Sequence, residues 1–171
     1  MTMTAADLNA LRPALQQRDN KRFLNVGCGS AGPERLPECF QQPEWQQIRL
    51  DINPAVKPDI IANLTDLSAV ETGSIDAVYS SHNIEHLYLH ETVIALQEMH
   101  RVIRPGGFLL ITLPDLQQVA QLVAQGKLSE EIYRSPVGPI TPLDMLYGHQ
   151  ASVAEGNTYM AHKSGFDKHS L

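Results

Sequence analysis

Phe23-Leu24-Asn25-Val26-Gly27-Cys28-Gly29-Ser30-Ala31-Gly32 is a short apolar run that breaks straight into a glycine-rich turn. The run has the length of a buried strand, and the glycines mark where it must stop. Glycine at positions 27 and 29 reaches backbone angles that other residues resist and leaves no Cβ between the main chain and a ligand. A strand that ends in such a turn offers backbone N–H groups to a nucleotide-like molecule at the carboxyl edge of a sheet. Alone, the stretch reads equally well as an ordinary strand and loop, because short glycine motifs are weak evidence. The flanking chain has to decide.

The 171 residues suit one domain with a sizeable core. Hydrophobic residues make up 43% and charged residues 19%, a globular rather than a disordered balance. The formal charge is −6 and the basic residues are scattered, which argues against nucleic acid as a partner, since phosphate binding needs concentrated positive charge. Cys28 and Cys39 make no disulfide framework and read as free thiols in a reducing compartment. No signal segment opens the chain and no apolar run is long enough for a bilayer, so a cytoplasmic protein is expected.

Outward from the glycine turn, strands and helices alternate. Thr4 to Arg18 reads as a helix capped by Thr4 with Asp7 at N3, bent at Pro13. Pro33 to Phe40 reads as a short helix weakened by Pro37, and Gln46 to Ile52 as a second strand. Asp51 follows the turn by about 20 residues, the spacing at which an acid meets ribose hydroxyls in nucleotide-binding βαβ units. Strands are also expected at Asp59–Leu64, Ser74–Ser81 and Phe108–Leu113, and helices at Asn83–Ile103 and Leu116–Leu128. Arg104-Pro105-Gly106-Gly107 reads as the turn ending the first of these helices. The alternation predicts an α/β fold, a three-layer, doubly wound parallel sheet with right-handed crossovers. From Ser129 to Gly165 the pattern degrades into a proline- and glycine-rich segment, of the kind that forms lids and binding loops.

Four segments together resemble the class I S-adenosylmethionine-dependent methyltransferases of the type 11 branch. They are Leu24–Ser30, Leu50–Pro54, Ser74–Leu87 and Leu96–Pro114, and the likeness covers about residues 23 to 115 as a cofactor-binding core. The resemblance implies strand order 3-2-1-4-5, S-adenosylmethionine as cofactor, and a small-molecule or protein-borne methyl acceptor. It implies that Gly27, Cys28 and Gly29 pass close to the methionine and ribose of the cofactor, and that Asp51 takes the ribose hydroxyls with Ile52 against the adenine. Asn63 and Leu64 fall where the adenine amino group is held, and Ser81 and His82 near the methionine amine. Three positions depart from the family pattern. Asn25, also placed at the cofactor, stands where an acid is frequent, Ala31 where a third glycine is frequent, and Asn63 where Asp is usual. An amide still donates and accepts hydrogen bonds, but the loss of an acid at position 25 removes a charge that favours the cofactor's cationic groups.

Other readings compete. For an NAD-dependent oxidoreductase, Gly27, Gly29 and Gly32 spell G-x-G-x-x-G and Asp51 would serve the ribose, but Pro33 follows and Pro37 interrupts where a long helix is required. His82-Asn83-Ile84-Glu85-His86 spells H-x-x-E-H, with His90 beyond it. Zinc would need both histidines on one helix face and a third ligand. His82 falls at the strand-to-helix junction, so no metal is expected and His86 is read as packing near the cofactor or bonding backbone. A non-catalytic cofactor-binding module is the third alternative. The acceptor-side residues His149, Tyr159 and His162, together with His82, are candidate bases or acceptor contacts. The two C-terminal strands usual in class I methyltransferases are not seen, and Phe166–Leu171 reads as the start of a helix. The expectation is therefore a shortened chain with strand five at an apolar sheet edge, which would either dimerise or be covered by the segment after Ser129.

Overall fold

A computed structural model of the chain describes residues 20–135 and 137–171. The helix expected at Thr4–Arg18 lies outside the described residues. The centre of the molecule is a five-stranded parallel sheet of β1 (Lys21–Val26), β2 (Trp45–Asp51), β3 (Ile60–Ile61), β4 (Ile75–Ser81) and β5 (Ile103–Thr112). Their order is β3-β2-β1-β4-β5, as the alternation and the resemblance both imply. The helices are α1 (Leu89–Val102), α2 (Leu116–Ala124), α3 (Pro142–Tyr147) and α4 (Gln150–Ala154). Among the described residues no helix is long and apolar enough to cross a membrane.

Side chains alternate across the strands, so the sheet has two distinct apolar faces. Leu24, Val26, Leu50 and Val78 point to one face and pack with Ala95, Met99 and Val102 of α1. Phe23, Ala77 and Tyr79 point to the other and pack with Leu36 and Phe40. There the rings of Phe23 and Phe40 stack at 4.3 Å, with Trp45 edge-on to both.

The element boundaries differ from the sequence reading for local reasons. The segment expected as a helix at Pro33–Phe40 forms two 3-10 turns, Pro33–Arg35 and Glu38–Phe40, separated by Pro37. The long helix starts at Leu89 rather than Asn83, because the Glu91 carboxylate accepts from the Tyr88 N–H and caps it there. β3 keeps only two residues before Asn63 accepts from the Thr65 N–H and turns the chain. β5 begins at Ile103, and Arg104–Gly107 is a bulge within it: Ile75 pairs with Ile103 and Ala77 with Phe108. Asp76 anchors the bulge through Arg104 and also accepts from the Arg22 N–H. α2 stops at Ala124, two residues before Gly126 at φ +79°.

The stretch after Ser129 is more ordered than its composition suggests. It holds an antiparallel pair, β6 (Tyr133–Ser135) and β7 (Gly138–Ile140), apart from the main sheet. α3 follows with a Thr141/Asp144 capping box and Pro142 at its first turn, a start signal present in the sequence. The chain then returns to the sheet. Phe166 bridges Asp115 in parallel beyond the end of β5, and its ring is buried in the core. Residues 167–170 form a turn capped by Asp167 rather than a helix.

Candidate functional site

Parallel strands bring the carboxyl ends of β1, β2, β4 and β5 to one edge of the sheet. The turn after β1 is left-handed at Gly27 (φ +58°) and Gly29 (φ +56°), which glycine adopts without the Cβ penalty. A Cβ on Gly27 would lie 1.8 Å from Asn83 Oδ1, whereas one on Gly29 would meet nothing within 4 Å. Gly27 thus admits the Asn83 side chain, whose Nδ2 donates to the Val26 carbonyl at 2.8 Å. Gly29 faces open space.

Two residues of β2 clamp Gly29. Its N–H donates to Asp51 Oδ2 at 2.8 Å, and its carbonyl accepts from Arg49 Nη2 at 2.7 Å. Asp51 is buried, and Oδ1 accepts from the Asn53 N–H at 2.8 Å. Each carboxylate oxygen retains acceptor capacity beyond these single bonds. Ile52, next in the chain, is 38% exposed and gives the same edge an apolar surface. Cys28 is buried. Desolvation pushes its thiol pKa up against the opposing pull of Arg49.

The other residues singled out in the sequence scatter around this edge. Asn25 is buried in β1 on the Phe23 side. Asn63 is exposed and spends its side-chain oxygen on the turn to Thr65, with Leu64 half-buried beside it. Ser81 Oγ accepts from Thr112 Oγ1 at 2.8 Å. His82 takes a left-handed conformation (φ 54°), unusual for a residue with a side chain, and its N–H donates to the Thr112 carbonyl. Its ring is half-exposed, with Nδ1 3.3 Å from Glu85 Oε1.

The acceptor-side histidines divide. His149 caps α4, with Nδ1 on Ser152, so that nitrogen is engaged in holding the helix start. His162 packs edge-on against His86 with ring centroids 4.8 Å apart. Burial, and then the neighbouring His86, hold its pKa below the ordinary histidine value. His86 bonds the Ala161 carbonyl at 3.2 Å, the backbone role expected of it. Beside this pair lies Glu85, almost fully buried, with its backbone carbonyl accepting from the Lys163 and Ser164 N–H groups. Tyr133 of β6 is near enough to feel these charges. Burial raises its pKa, with Asp144 and Glu85 adding to the effect. Arg49 carries no motif value, and Glu85 stands in the sequence only as the acid of H-x-x-E-H. The clamp made by one and the burial of the other arise from contacts that sequence spacing does not announce.

The family model described as a methyltransferase domain matches residues 24–111, just over half of the chain. The chain belongs to the methyltransferase domain family. The match covers the glycine turn, the Asp51 strand end, the β4 end and β5 up to Ile111, nearly all of the segments on which the resemblance rested. Among solved structures, the PH0226 protein from Pyrococcus horikoshii OT3 is 20% identical, over 75% of this chain and 65% of that one, with a TM-score of 0.49. A SAM-dependent methyltransferase from Archaeoglobus fulgidus is 18% identical, over 88% and 66%, with a TM-score of 0.48. This methyltransferase-domain chain spans less than two thirds of the length of either structure. No curated protein matches the chain.

Proposed function

We propose that the chain binds S-adenosylmethionine at the edge formed by the β1 turn and the end of β2, and transfers its methyl group to a small-molecule or protein-borne acceptor. The observation that carries this reading is the Asp51 carboxylate, buried at the end of β2 and bonded to the Gly29 N–H within a family match that spans both. The residues suit the group. A Cβ would fill the space over Gly29, and Asp51 keeps acceptor capacity for a pair of ribose hydroxyls. Ile52 offers an apolar wall for an adenine, and Asn63 and Leu64 lie after β3 for its amino group.

Bound there, the cofactor supplies a methyl carbon on a sulfonium sulfur, and displacement leaves a neutral thioether, so no oxyanion has to be stabilised. The chain's task is positioning. Gly29 approaches as bare backbone, with Gly27 and the buried Cys28 completing the turn after Asn25, while Ser81 and His82 present the β4 end towards the methionine portion. Alignment of an acceptor with the methyl carbon is the main source of acceleration available to such a site. A base is required only for an acceptor that arrives protonated. His82 is half-exposed at the edge, and His162, packed against His86, has its pKa lowered by burial. Either is better placed for that role than His149, whose Nδ1 is committed to the α4 cap.

Isothermal titration with S-adenosylhomocysteine tests the binding. The parent should bind, and Asp51→Ala should bind about 10- to 150-fold more weakly, the equivalent of about 1.5–3 kcal/mol for a charge-assisted hydrogen bond. Equal affinity in parent and variant would remove Asp51 from the site, and no binding by the parent would remove the cofactor. Incorporation of labelled methyl across an acceptor screen then separates an enzyme from a binding module.

A further inference from the structure

Glu85 poses a question that the methyl-transfer reading does not answer. Its side chain is 2% exposed, and neither carboxylate oxygen has a hydrogen-bond partner. A buried carboxylate without partners is costly unless a cation offsets it. The His82 ring is near Oε1 but is 53% exposed, so its charge when protonated is largely screened by solvent. The histidines grouped with Glu85 are His86 and His162. One ligand atom from each of Glu85, His86 and His162 lies within 4.8 Å of the others.

We propose that Glu85, His86 and His162 form a binding site for one divalent transition-metal cation of the zinc class. The tautomers fit this role. His86 Nδ1 faces the Ala161 carbonyl at 3.2 Å, and His162 Nδ1 faces the Met145 carbonyl at 2.9 Å. A carbonyl only accepts, so each Nδ1 carries the proton and each Nε2 carries the lone pair. A ring nitrogen oriented by a backbone carbonyl on the opposite side is the usual arrangement of a metal-ligating histidine. Two imidazoles and a carboxylate suit zinc, cobalt or iron(II), and are poor ligands for magnesium or calcium, which take oxygen. Zinc bonds of about 2.0–2.1 Å place tetrahedral ligands about 3.3 Å apart. The three atoms therefore need to draw in by on the order of 1 Å, a side-chain adjustment. Three protein ligands leave zinc an open position.

The set is not the H-x-x-E-H pair of the sequence. His82 drops out, and His162 arrives from the far end of the chain. The bonds from the Lys163 and Ser164 N–H groups to the Glu85 carbonyl, at 2.8 and 3.1 Å, already hold the two segments in register. A bound cation would staple the β4 end to the returning C-terminal segment.

The test uses the full 171-residue chain, stripped of metal with a chelator and titrated with Co²⁺ alone. The expected result is visible d–d absorption that saturates at one equivalent and is displaced by Zn²⁺. Glu85→Gln and His162→Gln should each weaken binding at least about 10-fold, since even outer-shell changes produce losses of that order. His100→Gln, on the exposed side of α1, should leave it unchanged. Circular dichroism checks that each variant is folded. If one variant does not fold, the other and the stoichiometry of the parent decide. Absence of saturable absorption in the parent, or the same affinity in both folded variants, overturns the site. Because S-adenosylmethionine is absent from the assay, failure here and failure of cofactor binding are distinguishable.

Discussion

Replacing Gly27 by alanine tests how the glycine turn is held against β4. At φ +58° an alanine carries the left-handed penalty of about 1–2 kcal/mol. Its Cβ would also meet all three terminal atoms of the Asn83 side chain, at 1.8, 2.4 and 2.8 Å. Asn83 can rotate away, but only by giving up its 2.8 Å bond to the Val26 carbonyl, worth about 0.5–1.5 kcal/mol. The sum is a destabilisation of about 1.5–3.5 kcal/mol. Gly29→Ala is the built-in control, because its φ is nearly the same (+56°) and its Cβ meets nothing within 4 Å. It should lose about 1–2 kcal/mol, the conformational part alone. Urea unfolding followed by fluorescence of Trp45, the single tryptophan, which sits in the aromatic cluster with Phe23 and Phe40, gives both values. In an Asn83→Ala background the gap between the two glycine variants should close. Equal destabilisation of Gly27→Ala and Gly29→Ala with Asn83 present would refute the reasoning.

Cys39 is exposed, whereas Cys28 is buried with its thiol pKa pushed up by desolvation. Iodoacetamide on the native protein at mildly alkaline pH should therefore label Cys39 first, as peptide mass spectrometry would read. Early labelling of Cys28 would contradict the packing of the turn. Asp144 ties the start of α3 to the start of α4, accepting from Thr141 and from the Gln150 N–H. Burial works to raise its pKa, but these hydrogen bonds outweigh it and the folded value is lowered. Its contribution to stability is present above the unfolded value of about 3.9 and is lost as pH falls through the lower folded one. The urea midpoint should drop on acidification through that window, and Asp144→Asn should flatten the drop; an unchanged profile would reject the role.

Some of this protein was legible in the order of its residues. Gly27 and Gly29 needed to be glycine, and the turn they form follows from backbone sterics alone. Asp51 could be placed at a strand end by spacing, and the parallel sheet by the alternation of apolar runs with amphipathic ones. These are short-range properties, set by φ preference and by the periods of strand and helix. The Thr141–Asp144 cap was equally local, but it was obscured by the prolines around it. What only the tertiary structure decided depends on distant residues meeting. Asn83 fills the space that Gly27 leaves and bonds the Val26 carbonyl from 57 positions further along. Arg49 and Asp51 close on Gly29 from the neighbouring strand. Glu85 acquires its buried, unpartnered carboxylate only because Lys163 and Ser164 return to its backbone and bring His162 beside His86. A local pattern cannot encode such a cluster. The burial of a charge is a property of everything packed around it, and the loop that supplies the last residue can follow many paths until the sheet edge and its hydrogen bonds select one.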